Sequence, residues 1–179
     1  MIVNEIMLDF FRNYVHLEVH FSPGVNLIYG ENAQGKTNLL EAIAYLSTAA
    51  SHRARYDREL IHFGVDHAFV KGEVVSRKRN FSLEARLSRG TRRQLFANGV
   101  KLKTAEGLSG ILNTVLFCPE DLYLIREGAA ARRRFLDECI CQLRPKYAAA
   151  LTEYRKLYDH KTRILKDWEE KPSLLDTLD

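Results

Sequence analysis

Eight residues near the amino terminus have the types and spacing of a phosphate-binding loop. They are Gly30, Glu31, Asn32, Ala33, Gln34, Gly35, Lys36 and Thr37. The two glycines let the backbone wrap closely around an anion, so that successive N–H groups point at phosphate oxygens. Lys36 then reaches the β and γ phosphates, and the Thr37 hydroxyl binds Mg²⁺. The pattern predicts a site for a nucleoside triphosphate and magnesium.

Such a loop connects a strand to a helix, and the neighbouring residues have both patterns. Residues 25–29 are nearly all apolar, which predicts a central strand that is buried on both faces. Residues 38–46 favour a helix, whose amino-terminal end attracts negative charge. A glycine-rich turn that only caps a helix is the alternative interpretation, but chance would seldom place all these residue types between a strand and a helix.

Alternating apolar and polar residues predict further strands. Before the loop, residues 2–10 form one candidate strand, and Val15, Leu17, Val19 and Phe21 alternate strictly in a second. Later strands are predicted at residues 68–75, 80–88, 92–97 and 114–117. Together with the helix after the loop, these strands predict an α/β fold.

Basic side chains are concentrated in one stretch of this predicted sheet. They are Arg77, Lys78, Arg79, Arg86, Arg89, Arg92 and Arg93. The stretch alternates in polarity, which predicts a basic hairpin with its turn at Arg89 and Gly90. All of these cations except Arg86 are candidate contacts to the phosphate backbone of DNA. A solvated sheet edge, protected from aggregation by its charges, needs the same residues and stays an open alternative.

The pattern becomes helical after residue 118. Pro119, Glu120 and Asp121 suit the start of a helix. Residues 129–143 predict a helix, and a second begins at Pro145 and ends at residues 171–173. The side chains predicted to be buried are Leu136, Ile140 and Leu143 in the first helix, and Leu151, Tyr154, Tyr158, Leu165 and Trp168 in the second. The side chains of the second helix have heptad-like spacing, but for this helix we favour a packed amphipathic helix over a coiled-coil arm.

Composition excludes several classes of protein. The 179 residues include 46% hydrophobic and 28% charged residues, which is typical of a folded globular chain. No apolar run approaches the length of a membrane helix and no secretory signal is evident, so we expect a cytoplasmic protein. The net charge of +4 is compatible with a nucleic-acid partner. Three cysteines match no zinc pattern and are expected to be packed thiols.

No residue is a good candidate for catalysis. A triphosphatase usually needs a carboxylate at the end of an apolar strand. The carboxylates of Glu120 and Asp121 are displaced into a helix start, and Asp137 follows three arginines on an amphipathic helix. Residues 108–110 lack the second glycine and the glutamine of an ABC-type signature, so we expect a turn or a short helix there. The sequence therefore contains half of a nucleotide site.

Motifs spread over nearly the whole chain resemble those of the RecF family, bacterial recombination-mediator ATPases related to SMC and ABC-type head domains. The matching motifs are Phe11-Arg12-Asn13-Tyr14, the loop with Asn38 and Leu40-Glu41-Ala42-Ile43, Ser51-His52-Arg53, Arg58-Glu59-Leu60-Ile61, Val115-Leu116-Phe117, Pro119-Glu120-Asp121-Leu122, and Arg132-Arg133-Arg134-Phe135-Leu136-Asp137. Asn32 and Asn38, on either side of Lys36, distinguish this SMC-like loop from those of small GTPases and metabolic kinases.

The resemblance implies an ABC/SMC-type ATPase head lobe with mixed and antiparallel strands over residues 1–118, and the start of a helical arm over residues 119–179. It implies ATP as the nucleotide, with Arg12, Asn13 and Asn38 near it. Members of this family bind DNA in an ATP-dependent manner, dimerise head to head, and act with RecR and RecO to load RecA at gapped DNA. The family also implies roles in DNA repair, replication and the SOS response.

The same resemblance implies that the signature motif and the acidic strand end lie in a carboxyl-terminal half. We therefore expect a truncated chain that is nearly inactive, although the intact protein is a weak ATPase. Two other classes share a phosphate-binding loop: a metabolic kinase, and the ATPase subunit of a transporter. Retention of DNA with and without ATP would distinguish the three classes.

Overall fold

The fold is organised around one antiparallel sheet, as a computed structural model that describes residues 1–119 and 128–167 shows. The strands are β1 Ile2–Phe11, β2 Tyr14–His20, β3 His67–Ser76, β4 Arg79–Ser88, β5 Gln94–Ala97 and β6 Val100–Leu102. The helices are α1 Lys36–Thr48, α2 Ala129–Leu143 and α3 Pro145–Asp167, with short 3-10 turns at Asp57–Leu60 and Ala105–Leu108. The order in the sheet is β2-β1-β3-β4-β5-β6, and every pair of neighbours is antiparallel.

The core lies between this sheet and α1. Alternate residues of β1, β3 and β4 are buried, among them Ile6, Leu8, Val70, Val74, Leu83, Ala85 and Leu87. They pack in one cluster with Leu39, Ala42 and Leu46 of α1. A Cβ at Gly72 of β3 would lie 2.6 Å from the Leu46 Cδ1 atom, so the glycine allows α1 to approach the sheet closely.

A buried tyrosine connects α1 to the loops beside the sheet. The Tyr45 hydroxyl donates a 2.8 Å hydrogen bond to the Asp57 carboxylate, which also accepts from Arg93. Burial raises the pKa of Tyr45 well above its ordinary value, and the neighbouring Asp57 adds to the rise. Arg93 is therefore part of the structural framework, since its guanidinium is paired 3.0 Å from Asp57.

Several sequence predictions are confirmed. The strands predicted at residues 68–75 and 80–88 are β3 and β4, and the one at 92–97 is β5, which begins two residues later. The helix after the loop is α1, and α2 and α3 begin at the predicted residues 129 and 145. Cys118 is buried and Cys139 and Cys141 are half-buried, as expected of packed thiols. No helix among the described residues has the length and apolar character needed to cross a membrane.

Two predicted buried strands are wrong for the described residues. Residues 25–29 pair with no strand, and Val25, Leu27 and Tyr29 expose 98%, 82% and 85% of their surface. Residues 114–117 are likewise irregular, with Val115 fully exposed. An apolar run predicts burial only if other elements cover it, and no described strand lies beside either segment. The parallel part of the expected mixed sheet is therefore not formed within residues 1–119 and 128–167.

The predicted packing of α2 and α3 also needs correction. Leu136 and Leu143 of α2 are exposed, and Ile140 is half-buried. On α3, Tyr154, Tyr158 and Leu165 are exposed, so the packed-helix interpretation is wrong for them. Among the described residues, the side-chain hydrogen bonds of α3 with α2 and the second 3-10 turn come from its first half, as in the 2.8 Å bond from Thr152 to Glu106.

Some predictions fall outside the described residues. The carboxylates of Glu120 and Asp121, the side chain of Trp168 and the helix end at residues 171–173 belong to this group. The division of the chain at residues 118 and 119 stays a prediction. Residues 105–108 form a 3-10 turn that continues through Ser109, in agreement with the turn expected there.

The predicted basic hairpin is divided between the two ends of β4. Its turn at Arg89 and Gly90 is present, but Arg77, Lys78 and Arg79 lie at the opposite end, in the turn from β3 to β4. Ten residues of β4 separate the two groups by about 30 Å. The six candidate DNA contacts therefore do not form one surface, because successive turns of antiparallel strands lie at alternate ends of a sheet.

The β3–β4 turn yields a stability prediction. Arg77 and Lys78 have φ values of 51° and 62°, which are favoured by Asn and Gly in a two-residue hairpin turn. The double substitution Arg77→Asn and Lys78→Gly puts residues that tolerate positive φ at both positions. It is expected to raise the free energy of unfolding by about 0.5 to 1 kcal/mol. Urea denaturation measures this, and a clear loss of stability would contradict the assigned turn.

Candidate functional site

The candidate phosphate-binding loop lies directly before α1, as its sequence predicts. Lys36 is the first residue of the helix, and Gly35 caps it with a φ of 98°. Gly30 and Ala33 also have positive φ values, 146° and 64°. Alternation of left-handed and right-handed residues turns successive N–H groups toward one side of the backbone, which forms a concave site for an anion. The loop therefore has the backbone shape that phosphate binding requires.

The loop N–H groups are available to a ligand. Within residues 1–119 and 128–167, the backbone N–H groups of residues 32–37 donate to no protein acceptor. The Lys36 ammonium folds back on the loop and donates to the Gly30 carbonyl at 2.9 Å and the Glu31 carbonyl at 2.6 Å. The lysine thus lies beside the donors that would bind phosphate. A triphosphate offers it stronger, charged acceptors than these carbonyls.

The turn between β1 and β2 closes one side of the loop. A Cβ on Gly35 would lie 2.7 Å from the Asn13 amide oxygen and 2.8 Å from the Tyr14 ring. Asn38, in the first turn of α1, donates to the same Asn13 oxygen at 2.7 Å. Asn13, Gly35 and Asn38 therefore lie together, and their contact with a nucleotide stays a prediction.

Arg12 has a different position from its neighbour Asn13. Its guanidinium donates two hydrogen bonds to the Glu41 carboxylate, at 2.9 and 2.7 Å, and one to the Glu59 carbonyl. Its own carbonyl lies 2.7 Å from the His62 Nδ1 atom. Arg12 therefore braces the β1–β2 turn against α1. Its predicted contact with nucleotide stays a prediction.

Glu41 is the centre of a buried polar cluster behind the loop. Its carboxylate is fully buried and accepts from Arg12, from the Ser51 hydroxyl and from Arg53 at 3.0 Å. Arg53 also donates to the Asn38 side chain. The cluster therefore links the β1–β2 turn, the first turns of α1 and the segment after α1.

Two opposing effects act on the Glu41 carboxyl. Burial alone would raise its pKa, but the hydrogen bonds from Arg12 and Ser51 and the charges of Arg12 and Arg53 outweigh burial. The pKa is lowered, so the carboxylate is charged near neutral pH. A charged, fully paired Glu41 holds the arginines in place and is not available as a general base.

The structure places the remaining predicted residues as follows. Glu31, Asn32, Ala33, Gln34 and Thr37 are exposed on the loop and the start of α1. Arg77, Lys78 and Arg79 lie at the far end of the sheet, about 30 Å away along β1.

Sequence reasoning assigned no role to Glu41, Ser51 or Arg53. The available signal was a carboxylate at position 41, on the face of α1 that otherwise presents apolar Leu39 and Ala42 to the core.

Gly35 is expected to be intolerant of a side chain. Gly35→Ala should destabilise the protein by about 2 kcal/mol more than Gly24→Ala, because both have φ near 95° but only Gly35 has close neighbours. Thermal unfolding measures the difference. Equal costs at the two positions would show that Asn13 and Tyr14 do not enclose Gly35.

Glu41 is expected to stabilise the fold in a pH-dependent way. Glu41→Gln should lower the free energy of unfolding at pH 7 by about 3 kcal/mol, since it leaves Arg12 without its countercharge. Because the folded pKa is lowered, this contribution is present above the unfolded pKa of about 4.3 and is lost as pH falls through the folded pKa. Urea denaturation between pH 3 and 7 should show the wild type and variant converging in acid.

The matched control removes a carboxylate from an exposed ion pair. Glu138→Gln breaks the 2.8 Å pair with Arg134 on the surface of α2, and its cost should stay below about 0.5 kcal/mol. A Glu41→Gln cost that is equally small, or that does not change with pH, would contradict the role assigned to the buried cluster.

Curated relatives match the chain over nearly its full length. The DNA replication and repair protein RecF of Agathobacter rectalis is 44% identical over 179 residues, which are 99% of this chain and 49% of the relative. RecF of Lachnospira eligens is 41% identical and is covered over 50% of its length. The chain therefore spans about half the length of these relatives.

Solved structures match the fold as well. A structure of the recombination mediator protein RecF-ATP in the RecFOR pathway has a TM-score of 0.90 and 38% identity, over 94% of this chain and 46% of that one. A structure of RecF-ATPrS in the RecFOR pathway has a TM-score of 0.91 and 37% identity, over 99% of this chain and 49% of that one. An SMC ATPase structure shares the fold, with a TM-score of 0.62 and 21% identity over 76% of this chain and 98% of that one.

A family model agrees with the loop geometry and with these similarities. The model, described as an AAA domain, matches residues 5–178, which include the whole phosphate-binding loop. The RecF relatives cover the same span, and their structures share its sheet and α1. The chain therefore belongs to the AAA domain family, and within that family it matches the amino-terminal portion of RecF proteins.

Proposed function

We propose that this chain is the ATP-binding lobe of a RecF-like, ATP-dependent DNA-binding protein of recombinational repair. The observation that carries the proposal is the loop before α1, where the N–H groups of residues 32–37 have no protein acceptor among the described residues. Free donors at a helix amino terminus, next to the ammonium of Lys36, are suited to polyphosphate. The RecF–ATP structure supports ATP as that ligand.

Magnesium is the metal proposed for this site. The residues fit it, because the exposed Thr37 hydroxyl lies in the first turn of α1, next to Lys36. Mg²⁺ usually keeps several waters and binds few protein ligands together with substrate phosphates, so one hydroxyl is a sufficient protein contribution. When bound, the ion would neutralise charge on the phosphates. Asn13 and Asn38 would then orient the loop around the nucleotide.

The biological role is proposed from the relatives. RecF relatives are DNA replication and repair proteins, and the RecF structures belong to the RecFOR pathway. On this basis RecR-like and RecO-like proteins and gapped DNA are the proposed partners. ATP-driven dimerisation is described for an SMC ATPase of the same fold, which supports a nucleotide-dependent homodimer of the intact protein. These similarities give no support to the kinase and transporter alternatives.

Hydrolysis by this chain alone is proposed to be slow. Family members are ATPases, and this class of reaction needs a residue that orients or deprotonates the attacking water. Glu41, a charged carboxylate close behind the loop, is paired with two arginines and cannot accept a proton readily. A second carboxylate would have to come from outside the described residues. We propose a location in the cytoplasm, where DNA and ATP are both present.

The loop is tested by nucleotide binding. A fluorescent ATP analogue with Mg²⁺ is expected to bind the wild-type chain, and Lys36→Ala should weaken binding at least tenfold, since it removes the only loop cation. A tenfold loss is about 1.4 kcal/mol, a modest value for a charge that contacts phosphates. Fluorescence anisotropy measures the dissociation constants.

Two further variants make this test specific. Thr37→Ala should abolish the difference between binding with Mg²⁺ and binding with chelator, while Lys161→Ala, at an exposed position of α3, should change neither value. If the Lys36 and Lys161 variants bind the analogue equally well, the loop is not the nucleotide site.

A further inference from the structure

A groove of about 600 Å³ separates the tip of the β3–β4 hairpin from the junction of α2 and α3. Its lining residues come from the hairpin, the segment after the second 3-10 turn, and the helix junction. They include Arg77, Arg79, Ser109, Gln142 and Pro145. No acidic side chain lines the groove among the described residues. The tertiary fold therefore places two arginines in one polar recess.

The cations at this tip differ from two of the three candidate DNA contacts at the other end of β4, Arg89 and Arg93. Within residues 1–119 and 128–167, the side chains of Arg77, Lys78 and Arg79 form no ion pair and no hydrogen bond. By contrast, Arg93 is paired with Asp57, and Arg89 donates to the Val65 carbonyl at 2.9 Å. The Arg89 and Arg93 charges are used within the fold, while the charges at the groove are available to a ligand.

More positive charge flanks the groove on its other wall. Arg144 and Lys146 are exposed on either side of Pro145, which is itself a lining residue. The side chains of Arg144 and Lys146 also form no ion pair among the described residues. Cations close to one another, without a neutralising carboxylate among the lining residues, repel one another unless an anion lies between them.

The groove is remote from the phosphate-binding loop. Arg77 and Arg79 follow the end of β3 that pairs with Ile2 at the start of β1. The loop contacts Asn13, just beyond the other end of β1, so about 30 Å separates the two sites. The groove cations therefore cannot contribute to the same nucleotide site as Lys36.

We propose that this groove binds the sugar-phosphate backbone of DNA, with Arg77 and Arg79 lining it and Lys78, Arg144 and Lys146 next to lining residues in the sequence. The inference rests on the proposed function, and it assigns the DNA contact to one of the two basic ends of β4. Phe81 lines the groove but is half-buried and packed against the core, so only part of one ring is exposed for base stacking. Binding therefore depends on phosphate charge and not on base sequence.

The hairpin offers a substitution that removes charge without disturbing the fold. Arg77→Asn with Lys78→Gly suits the positive φ values of the turn, and Arg79→Gln keeps a polar residue at the start of β4. This triple variant should retain duplex DNA about tenfold less well near 100 mM salt. The slope of log affinity against log salt concentration should be smaller in magnitude by about 2 to 3. This corresponds to one unit or slightly less for each lost phosphate contact.

The matched control removes three charges elsewhere. Lys161→Gln, Arg163→Gln and Lys166→Gln lie on the exposed carboxyl-terminal part of α3, more than about 20 Å along the helix from Pro145. This control lowers the net charge equally but should keep at least half of the wild-type affinity. A second duplex of unrelated sequence and a single strand of equal length should both lose affinity in the groove variant, the single strand with a smaller salt slope.

The outcomes separate this inference from the proposed function. The groove variant should be at least as stable as the wild type in thermal unfolding, since its turn substitutions are expected to stabilise the hairpin, and its binding of the fluorescent ATP analogue should be unchanged. If the wild type binds DNA and the groove variant binds it equally well, or if Arg92→Gln at the other end causes the larger loss, the groove assignment is wrong and the function stands. If the wild type retains no DNA at either of two salt concentrations, the DNA-binding function itself fails, and the groove assignment fails with it.

Discussion

The buried Glu41 carboxylate is the interaction on which the candidate site depends. It is fully buried, and its two oxygens accept hydrogen bonds from Arg12, Ser51 and Arg53. These donors come from the β1–β2 turn and from the segment after α1, so one charge connects three parts of the chain. Removing a buried charge costs far more than losing a surface pair, because its partners are left without compensation. The turn that carries Asn13 is therefore held at a constant distance from the loop.

That arrangement explains how a flexible, glycine-containing loop keeps a defined shape without ligand. Asn13 fills the space next to Gly35 and accepts a hydrogen bond from Asn38, while Lys36 closes over the loop carbonyls. The N–H groups remain available because the positive φ values turn them away from the helix behind them. Preorganisation of this kind reduces the entropy that nucleotide binding would otherwise cost. The sheet then separates this site from the basic groove at its other end.

Local patterns predicted much of this structure correctly. The loop and the starts of α1, α2 and α3 depend on glycine, proline and helix periodicity within a few residues, which sequence records directly. The alternation of apolar and polar residues predicted strands β3 and β4 correctly. The strands expected at residues 25–29 and 114–117 failed because burial of an apolar run depends on other elements, and no described strand covers either segment.

The amino-acid sequence by itself determined the position of the candidate phosphate-binding loop, since the pattern of Gly30, Gly35, Lys36 and Thr37 is contained in eight adjacent residues. Only the tertiary structure decided which arginine side chains are paired with a carboxylate and which are available to a ligand. Arg12 and Arg93 are engaged with Glu41 and Asp57, which lie 29 and 36 residues away in the chain, whereas Arg77 and Arg79 face an open groove. An arginine has the same charge in every sequence position, and its role depends on whether folding brings a carboxylate within hydrogen-bonding distance.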